Sequence, residues 1–482
     1  MSATRFPRSR SGLYAITASL MLLLPLTAGA AGATIWVAPP NGTNDTANIQ
    51  AALDACVAQG PGCTVQLQAG RYLSRQLVAY NFRGTLKGMG KYNTIIEALP
   101  YLPVTFDSTQ PCQPNTSTCL WPTFIIFVDG DIRILDLSVH MFATEGTAIV
   151  PTGAILDGIR VMGQYRTNLY IDHVDVEGRP DDTTGIGYNV LNGIAYAGEL
   201  NSSSANPIEV PCGAVGGFYF LSGSYTVRNS TFKSMYDGVG QDGCVRSSHI
   251  TIGGSPSTGN TFEDHYVGID MESAENSVVQ ISYNVSSATY SSMWVVPWFP
   301  SVFEPSKPSQ YFIHDNKLFT TGQSADAILL WDNPPSLFID AVVWNNAVEL
   351  QDSLSEGIDG VYTKGARVLN NSIAGSDALD AIGFFSGTLD IVTNNRVSGV
   401  TIDGTVGFAQ IVLDGSLFGV TDTSDSTVVC RTSTDTVLNL GTNNRIIRCQ
   451  LIATPEATTQ GVAPAISPAR PNLPIKKPHL PW

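Results

Sequence analysis

Apolar and polar residues alternate along most of this chain within a short phrase that recurs every 24 to 32 residues. In the phrase an apolar residue, a residue of any kind and an Asn are followed by alternating apolar positions, as in residues 227–232, VRNSTF. The repeated Asn residues are Asn229, Asn260, Asn284, Asn316, Asn346, Asn371 and Asn395. A period of two predicts β-strands, and recurrence at this spacing predicts a solenoid of stacked coils.

The Asn of each phrase is expected at a turn of the coil. Asn tolerates a left-handed backbone, and its amide can stack on the Asn of the next coil. Related phrases at 171–176 and 443–446 extend the pattern towards both ends of the chain. A leucine-rich horseshoe is the competing solenoid, but its Leu-rich consensus is missing here.

The start of the solenoid is predicted to carry one helix. Residues 44–46 provide N-cap candidates, and Ile49, Leu53, Cys56 and Val57 form one apolar helical face that Gly60 would end. A strand-rich segment, 64–72, follows. This helix and strand-rich segment, together with the repeat, make the sequence resemble the right-handed parallel β-helix, or pectin-lyase-like, superfamily over roughly Thr34 to Gln450. The resemblance implies an all-β, right-handed parallel β-helix solenoid whose N-terminal capping helix covers open strand edges, and it says little about activity.

Composition agrees with one long stacked domain. Of 482 residues, 43% are apolar and 14% are charged, which excludes wholesale disorder and disfavours long surface helices. The first residues carry three arginines, an apolar core and a small-residue run with cleavage after Ala30 or Ala33, the order of a secretory signal peptide. A membrane anchor is the alternative, but the apolar core is short for a bilayer. We therefore predict a signal peptide at 1–30, a β-helix domain at 31–452 and a Pro-rich, disordered tail at 453–482.

The chain is acidic, with 26 basic and 41 acidic residues and a net charge of −15. Removal of the signal peptide leaves 23 basic residues and a charge near −18. Such a surface argues against a nucleic-acid partner, because phosphate binding needs clustered Lys and Arg. No later segment is apolar enough to span a membrane. The predicted location is outside the cell or in the periplasm.

Eight cysteines in a secreted chain predict disulfides. Many pairings are possible, and proximity in the sequence favours Cys56 with Cys63, Cys112 with Cys119 and Cys430 with Cys449, which leaves Cys212 with Cys244. The spacings do not match zinc sites. Structural disulfides are the expected role.

A second phrase in each coil maps the outward surface. It is a small or acidic residue, Gly or Ala, then a branched apolar residue, as in Asp237-Gly238-Val239. If the branched residue points inward, the residues one and three further on point outward on one face. One set is Arg160, Ala195, Gly240, Asp270, Leu329, Asp359 and Gly383, and the other is Met162, Ala197, Asp242, Glu272, Trp331, Val361 and Phe385. Acidity concentrates in two adjacent coils, at Asp242, Asp270 and Glu272.

These carboxylates predict acid–base chemistry. Neighbouring coils lie about 4.8 Å apart, so Asp242 and Glu272 are expected to face each other. Close carboxylates repel, which leaves one of them as a proton donor and the other as a base, and a separation of about 5 Å is that of a glycosidase pair. The alternatives are a solvated acidic ladder and a Ca²⁺ site that uses the same oxygens.

Residues 236–244, which include Asp237, resemble the acidic-coil motif of polygalacturonase-type hydrolases, with His249 after it. This chain has Asp242-Gly243 where those enzymes carry paired Asp, and the Arg-x-Lys signature is absent. A lyase of the pectate type would need a basic residue beside a uronate, often with calcium. The candidate bases are Arg160, Arg246, Lys233 and, beside Asp264, His265; the alternatives are solvated charges and a structural histidine.

The longest excursion between coils is predicted from Thr289 to Tyr311 and is rich in aromatic residues. Tyr290, Trp294 and Trp298, with Arg160 and Trp331, are the candidate substrate-binding residues, because aromatic rings can stack on sugars. Packing of the loop against the solenoid is the alternative. The leading interpretation is a secreted glycoside hydrolase or polysaccharide lyase acting on an extended polysaccharide. A non-catalytic glycan-binding or cell-surface β-helix protein is the alternative.

Overall fold

The structure of the protein, a computed structural model, describes part of the chain. The described residues are 32–99, 105–106, 118–119, 123–141, 155–178, 180–181, 187–188, 190–198, 220–241, 244–272, 274–296, 308–320, 326–331, 339–351, 355–375, 380–398, 400, 410–414 and 423–452. The predicted signal peptide and the predicted tail lie outside them.

Strands dominate the described residues. The first are β1 Thr34–Trp36, β2 Cys63–Gln66, β3 Gly70–Ser74, β4 Leu77–Lys87, β5 Thr94–Ala98, β6 Thr105–Phe106, β7 Thr118–Cys119, β8 Ile125–His140, β9 Ile155–Gly163, β10 Asn168–Glu177, β11 Pro180–Asp181, β12 Gly187–Tyr188 and β13 Val190–Gly198. Next come β14 Ser224–Arg228, β15 Thr231–Gln241, β16 Val245–Arg246, β17 His249–Gly253, β18 Thr261–Glu272, β19 Ala274–Glu275, β20 Val278–Ser282, β21 Val285–Val296, β22 Ser309–His314, β23 Lys317–Thr320, β24 Asp326–Trp331 and β25 Ile339–Trp344. The last are β26 Ala347–Leu350, β27 Glu356–Val361, β28 Arg367–Leu369, β29 Ser372–Gly375, β30 Asp380–Phe385, β31 Ile391–Thr393, β32 Arg396–Ser398, β33 Ile411–Asp414, β34 Thr427–Val429, β35 Thr436–Asn439, β36 Arg445–Ile447 and β37 Gln450–Ile452.

The strands pair in three parallel ladders; most coils contribute to all three in turn, and the last described coils contribute to sheets 1 and 3. Sheet 1 runs β1, β2, β4, β8, β10, β14, β17, β20, β22, β25, β28, β31, β34, β36. Sheet 2 runs β3, β5, β8, β10, β15, β18, β21, β23, β26, β29, β32. Sheet 3 runs β4, β8, β9, β13, β15, β18, β21, β24, β27, β30, β33, β35, β37. The predicted all-β parallel β-helix is confirmed.

Inward residues of the three sheets form one continuous core from Val37 to Val437. In sheet 1, for example, Ile252 pairs with Ile281 and Ile281 with Ile313, and all three are fully buried. Each coil therefore covers the apolar residues of the next, as the period of two requires.

The corner between sheets 1 and 2 carries a ladder of buried amides. Asn260, Asn284, Asn316, Asn346 and Asn371 each donate from Nδ2 to Oδ1 of the next Asn, over 2.9–3.1 Å, and the ladder ends on Asn395. Except at Asn260, which follows Gly259, the left-handed backbone belongs to the residue just before the ladder position: Asn229, Tyr283, Asp315, Asn345, Asn370 and Asn394, with φ of 51–60°. The predicted left-handed backbone is thus found at Asn229 and not at the ladder Asn residues. The predicted amide stacking fails at Asn229, because Ser230 holds the ladder position there and donates from its backbone N to Asn260 Oδ1.

The predicted helix is α1 Thr46–Gln59. It packs on β2 and β4 and buries Ile49 and Leu53 completely. Gly60 follows with φ 89°, a conformation that favours glycine. Asp45 does not cap the helix with its side chain. Its carboxylate accepts from the backbone N of Asn41 and Leu73, so it ties the helix start to β3.

Two of the four predicted disulfides lie within the described residues, Cys56–Cys63 between α1 and β2, and Cys430–Cys449 near the C-terminal coils. Cys244 is also disulfide-bonded. Cys112 and Cys212 lie outside the described residues, as does the side chain of Cys119. Within the described part of the chain, no helix is long and apolar enough to cross a membrane.

Candidate functional site

The outer face of sheet 3 carries most of the candidate residues. Register pairs align one outward row as Arg160, Ala195, Gly240, Asp270, Trp294, Leu329, Asp359, Gly383, Val412 and Leu438. A second row, two residues further along, holds Met162, Ala197, Glu272, Val296, Trp331, Val361, Phe385 and Asp414. The sequence predicts these rows up to Gly383 and Phe385 except for one strand, β21, which it takes as a loop; it does not predict the continuation at Val412, Asp414 and Leu438.

Strand β21 corrects the predicted aromatic excursion. Tyr290 and Trp294 lie inside Val285–Val296, and Trp294 stands in the outward row between Asp270 and Leu329. Tyr311, the predicted end of the excursion, lies in β22 and is buried in the core. Trp298 lies outside the described residues. The aromatic surface is therefore part of the sheet, so its position is fixed by strand pairing.

One group of acidic side chains lies on β15 and β18. Asp237, Asp270 and Glu272 are buried, with 0%, 2% and 6% of their surface exposed. Asp270 pairs in register with Gly240 on one side and Trp294 on the other. Asp242, the predicted partner of Glu272, lies outside the described residues. We call Asp237, Asp270 and Glu272 the first acidic group.

A second acidic group, which we call the central acidic group, lies on β24 and β27. Asp326, Glu356 and Asp359 each offer a carboxylate oxygen, and these oxygens lie within 4.8 Å of one another. All three residues are buried, and Asp380 pairs with Glu356 on the next coil. These oxygens are of the kind that Ca²⁺ takes as ligands.

Sequence reasoning missed the central acidic group because strict alternation separates its members. Glu356 and Asp359 are three residues apart, so a regular strand would point them to opposite faces. Their carboxylates nevertheless meet. The available signal was the acidic first residue of the recurring phrase, at Asp157, Asp237, Asp326, Glu356 and Asp380.

Aromatic rings join the two acidic groups. Tyr236, Tyr266 and Tyr290 stack with ring centroids 4.5 and 4.4 Å apart, and Trp294 meets Tyr290 edge to face at 5.6 Å. Burial, together with the nearby charges of Asp237 and Asp326, raises the pKa of Tyr266 to about 12. Tyr266 thus stays protonated at neutral pH and lies within electrostatic reach of both groups.

Arg160 lies on the same face, in the N-terminal coils, and is buried. Its Nε donates to Oδ2 of Asp157. The same oxygen accepts from Thr123 Oγ1 at 2.9 Å, and Oδ1 of Asp157 accepts from Asn192 Nδ2 at 2.7 Å. A buried ion pair with further hydrogen bonds holds the guanidinium in place. Arg160 is therefore a positive group held in place on the face that also carries the acidic groups.

His265 and Arg246 lie away from the outward rows. His265 is fully buried, and its Nε2 is 2.8 Å from the carbonyl oxygen of Phe232. Burial lowers the pKa of His265 to about 4, so the ring is neutral at pH 7. Arg246 pairs with Glu275 at 2.8 Å and lies over the ring of Phe220 in the small β16–β19 sheet. These positions bring neither residue into the acidic groups.

No family model and no curated protein matches the chain. Among solved structures, it is similar to the A-module of a mannuronan C-5 epimerase of Azotobacter vinelandii, with 14% identity, a TM-score of 0.41 and coverage of 86% of this chain and 96% of that one. It is also similar to a family 28 exopolygalacturonase of Yersinia enterocolitica, with 13% identity, a TM-score of 0.40 and coverage of 88% and 76%. A third similar structure is a DFA-IIIase of Arthrobacter chlorophenolicus, with 11% identity, a TM-score of 0.45 and coverage of 89% of this chain and 99% of that one. At these identities and TM-scores the likenesses assign no activity to this chain.

Proposed function

We propose that the protein is a secreted carbohydrate-active enzyme that cleaves an extended polysaccharide along the outer face of sheet 3. The observation that carries the proposal is the pair of buried acidic groups on this face, joined by Tyr266 and Trp294. Carboxyl groups in close pairs can divide the roles of proton donor and base, and aromatic residues offer apolar surface to sugar rings.

Hydrolysis is the reaction that this chemistry supports best. One carboxylic acid would protonate the glycosidic oxygen, and a second carboxylate would attack the anomeric carbon or activate water. We propose Asp270 and Glu272, with Asp242 and Asp237, as the primary candidates, and Asp326 and Glu356 as a second pair. A lyase reaction would need a base beside a uronate carboxylate, and Arg160 on this face is engaged by Asp157. Lyase action is the runner-up.

The test is a product analysis with the purified secreted chain on a panel of polyuronides and neutral glycans. Release of reducing ends without a rise in ultraviolet absorbance identifies a hydrolase, and the absorbance of unsaturated ends identifies a lyase. Binding without either product would contradict an enzyme and support the non-catalytic glycan-binding or cell-surface alternative.

Variants then separate the acidic groups. We expect Asp270→Asn and Glu272→Gln to lower turnover about 10²–10⁴-fold. Glu349→Gln, on an exposed carboxylate of β26, should leave turnover unchanged. If the first two variants keep full turnover while Asp326→Asn and Glu356→Gln lose it, the central acidic group is the catalytic one.

We propose calcium as the cofactor of the central acidic group, because Ca²⁺ prefers oxygen ligands. A calcium chelator that abolishes turnover would support a catalytic ion. A chelator that only lowers the melting temperature would support a structural one.

We further propose that the coil is right-handed and that α1 caps its N-terminal end. Parallel crossovers are right-handed in nearly all proteins, and an uncovered first coil would offer strand edges for aggregation. Secretion is supported by the signal-like N-terminal sequence and by disulfides, which persist in oxidising compartments.

A further inference from the structure

Three polar side chains converge on the outer face of sheet 2, apart from both acidic groups. His140 on β8 pairs in register with Glu177 on β10, and Asp175 precedes Glu177 by two residues, on the same side of the strand. His140 Nε2 lies 3.5 Å from Asp175 Oδ2 and 3.7 Å from Glu177 Oε2. One ligand atom of each residue lies within 4.8 Å of the others.

The distances between these atoms are long for hydrogen bonds, which join N and O at about 2.7–3.2 Å. They are close to the spacing of donors around a shared cation. Ligands about 2.0–2.2 Å from a first-row metal ion stand roughly 3.0–3.5 Å from one another. One imidazole and two carboxylates on adjacent strands thus face a common point.

The three side chains remain partly accessible to solvent. The side chains of His140, Asp175 and Glu177 are 15%, 8% and 28% exposed. Tyr92 lies beside Asp175: burial, and then the charge of Asp175, raise the pKa of the Tyr92 phenol. Neighbouring Lys91 donates from Nζ to Thr231 Oγ1.

We propose that His140, Asp175 and Glu177 bind a divalent first-row transition-metal ion of the Zn²⁺ class. One imidazole nitrogen and two carboxylate oxygens suit such an ion, whereas Ca²⁺ prefers oxygen ligands alone. The three protein ligands leave at least one position for water. The ion joins two neighbouring coils, β8 and β10, and its binding does not depend on the function proposed for sheet 3.

The test is calorimetric titration of the chelator-treated full chain with Zn²⁺, repeated with Ca²⁺. We expect one Zn²⁺ site and a rise in melting temperature on binding. Replacement by Co²⁺ should give visible absorption bands from the bound ion. His140→Ala should weaken Zn²⁺ binding at least about tenfold, whereas His249→Ala should not. His249 is the matched control because it is exposed on β17 and its register partners, Ser224 and Val278, carry no carboxylate.

Absence of Zn²⁺ binding by the full chain would overturn the proposal, as would equal affinities of folded His140→Ala and the unsubstituted chain. Circular dichroism checks that each variant is folded. If His140→Ala does not fold, Asp175→Asn and Glu177→Gln provide the same comparison. Unchanged Zn²⁺ affinity in both variants would also overturn the proposed metal site.

Discussion

At the scale of the residue, two adjacent positions at the corner between sheets 1 and 2 have different roles: the first adopts the left-handed turn, and the second forms the buried amide ladder. Asn370 has a φ of 56° and is exposed, whereas Asn371 is buried and hydrogen-bonded within the amide ladder. The sequence predicts the corner, because Asn suits both tasks. It does not separate them, since the repeated Asn-Asn pairs look alike at both positions. At residues 229–230 the pair is Asn-Ser, and Asn229 holds the turn position alone.

The division predicts opposite outcomes for neighbouring substitutions. Asn371→Ala removes the bonds to Val343 O and Asn395 Oδ1 and leaves the Nδ2 and backbone N of Asn346 without their shared acceptor. Buried groups without partners cost about 1–3 kcal/mol each, so the free energy of unfolding should fall by several kcal/mol. Asn370→Gly keeps the left-handed turn and should change it by about 0.5 kcal/mol or less. Urea denaturation measures both, and similar losses would contradict the assignment.

A buried carboxyl near the C-terminal coils predicts a pH dependence of stability. Burial raises the pKa of Asp390 from 3.8 to about 7, although its oxygens accept hydrogen bonds from Ala366 N and Thr363 Oγ1. Between pH 4 and 7 the folded chain holds a proton that the unfolded chain has released, so this residue lowers stability as pH rises through that range. Asp390→Asn should therefore gain stability relative to the unsubstituted chain, by at most about 4 kcal/mol at pH 8.

The measurement is chemical denaturation at pH 4, 6 and 8. Asp54→Asn, on an exposed residue of α1, is the control and should show no such trend. A constant difference between Asp390→Asn and the unsubstituted chain across this range would show that Asp390 titrates normally.

At the scale of the element, the sequence predicts inward and outward positions well wherever strands alternate regularly. Two elements depart from that rule. Strand β21 extends to Val296 although its aromatic residues resemble those of a loop. Strand β27 brings Glu356 and Asp359 to one cluster despite their odd spacing. Local pattern cannot reveal either, because each depends on pairing with neighbouring coils.

Helix α1 offers a direct test of packing at the N-terminal end. Leu53 is fully buried against the first coils, so Leu53→Ala should lower the free energy of unfolding by about 2–5 kcal/mol. Asp54→Ala, one residue further on the exposed side, should change it by about 0.5 kcal/mol or less. Both values come from urea denaturation. Equal midpoints would show that the helix contributes little to the stability of the β-helix.

At the scale of the whole molecule, the outer face of sheet 3 forms an extended surface. From Arg160 on β9 to Asp414 on β33 it crosses nine strands. At about 4.8 Å per coil this is roughly 40 Å. The repeat in the sequence predicts such a surface. Which side chains become neighbours on it depends on how the strands of successive coils pair.

The length of the face predicts how the proposed enzyme treats oligosaccharides. Contacts with remote sugar units can contribute to transition-state binding, so kcat/KM should rise with oligosaccharide length and level off when the chain spans the face. Steady-state kinetics on a length series of the active substrate measures this. A kcat/KM that is already maximal for the shortest cleaved oligosaccharide would indicate a short pocket instead.

The amide ladder has a consequence for how this molecule can diversify. Successive ladder residues are separated by 24, 32, 30, 25 and 24 positions, yet every step makes the same hydrogen bonds. Coils of different length therefore keep the same corner, and their extra residues lie elsewhere in each coil. Loops elsewhere in the coil can therefore be lengthened, exchanged or grafted, while the amide ladder keeps the strands of successive coils in register.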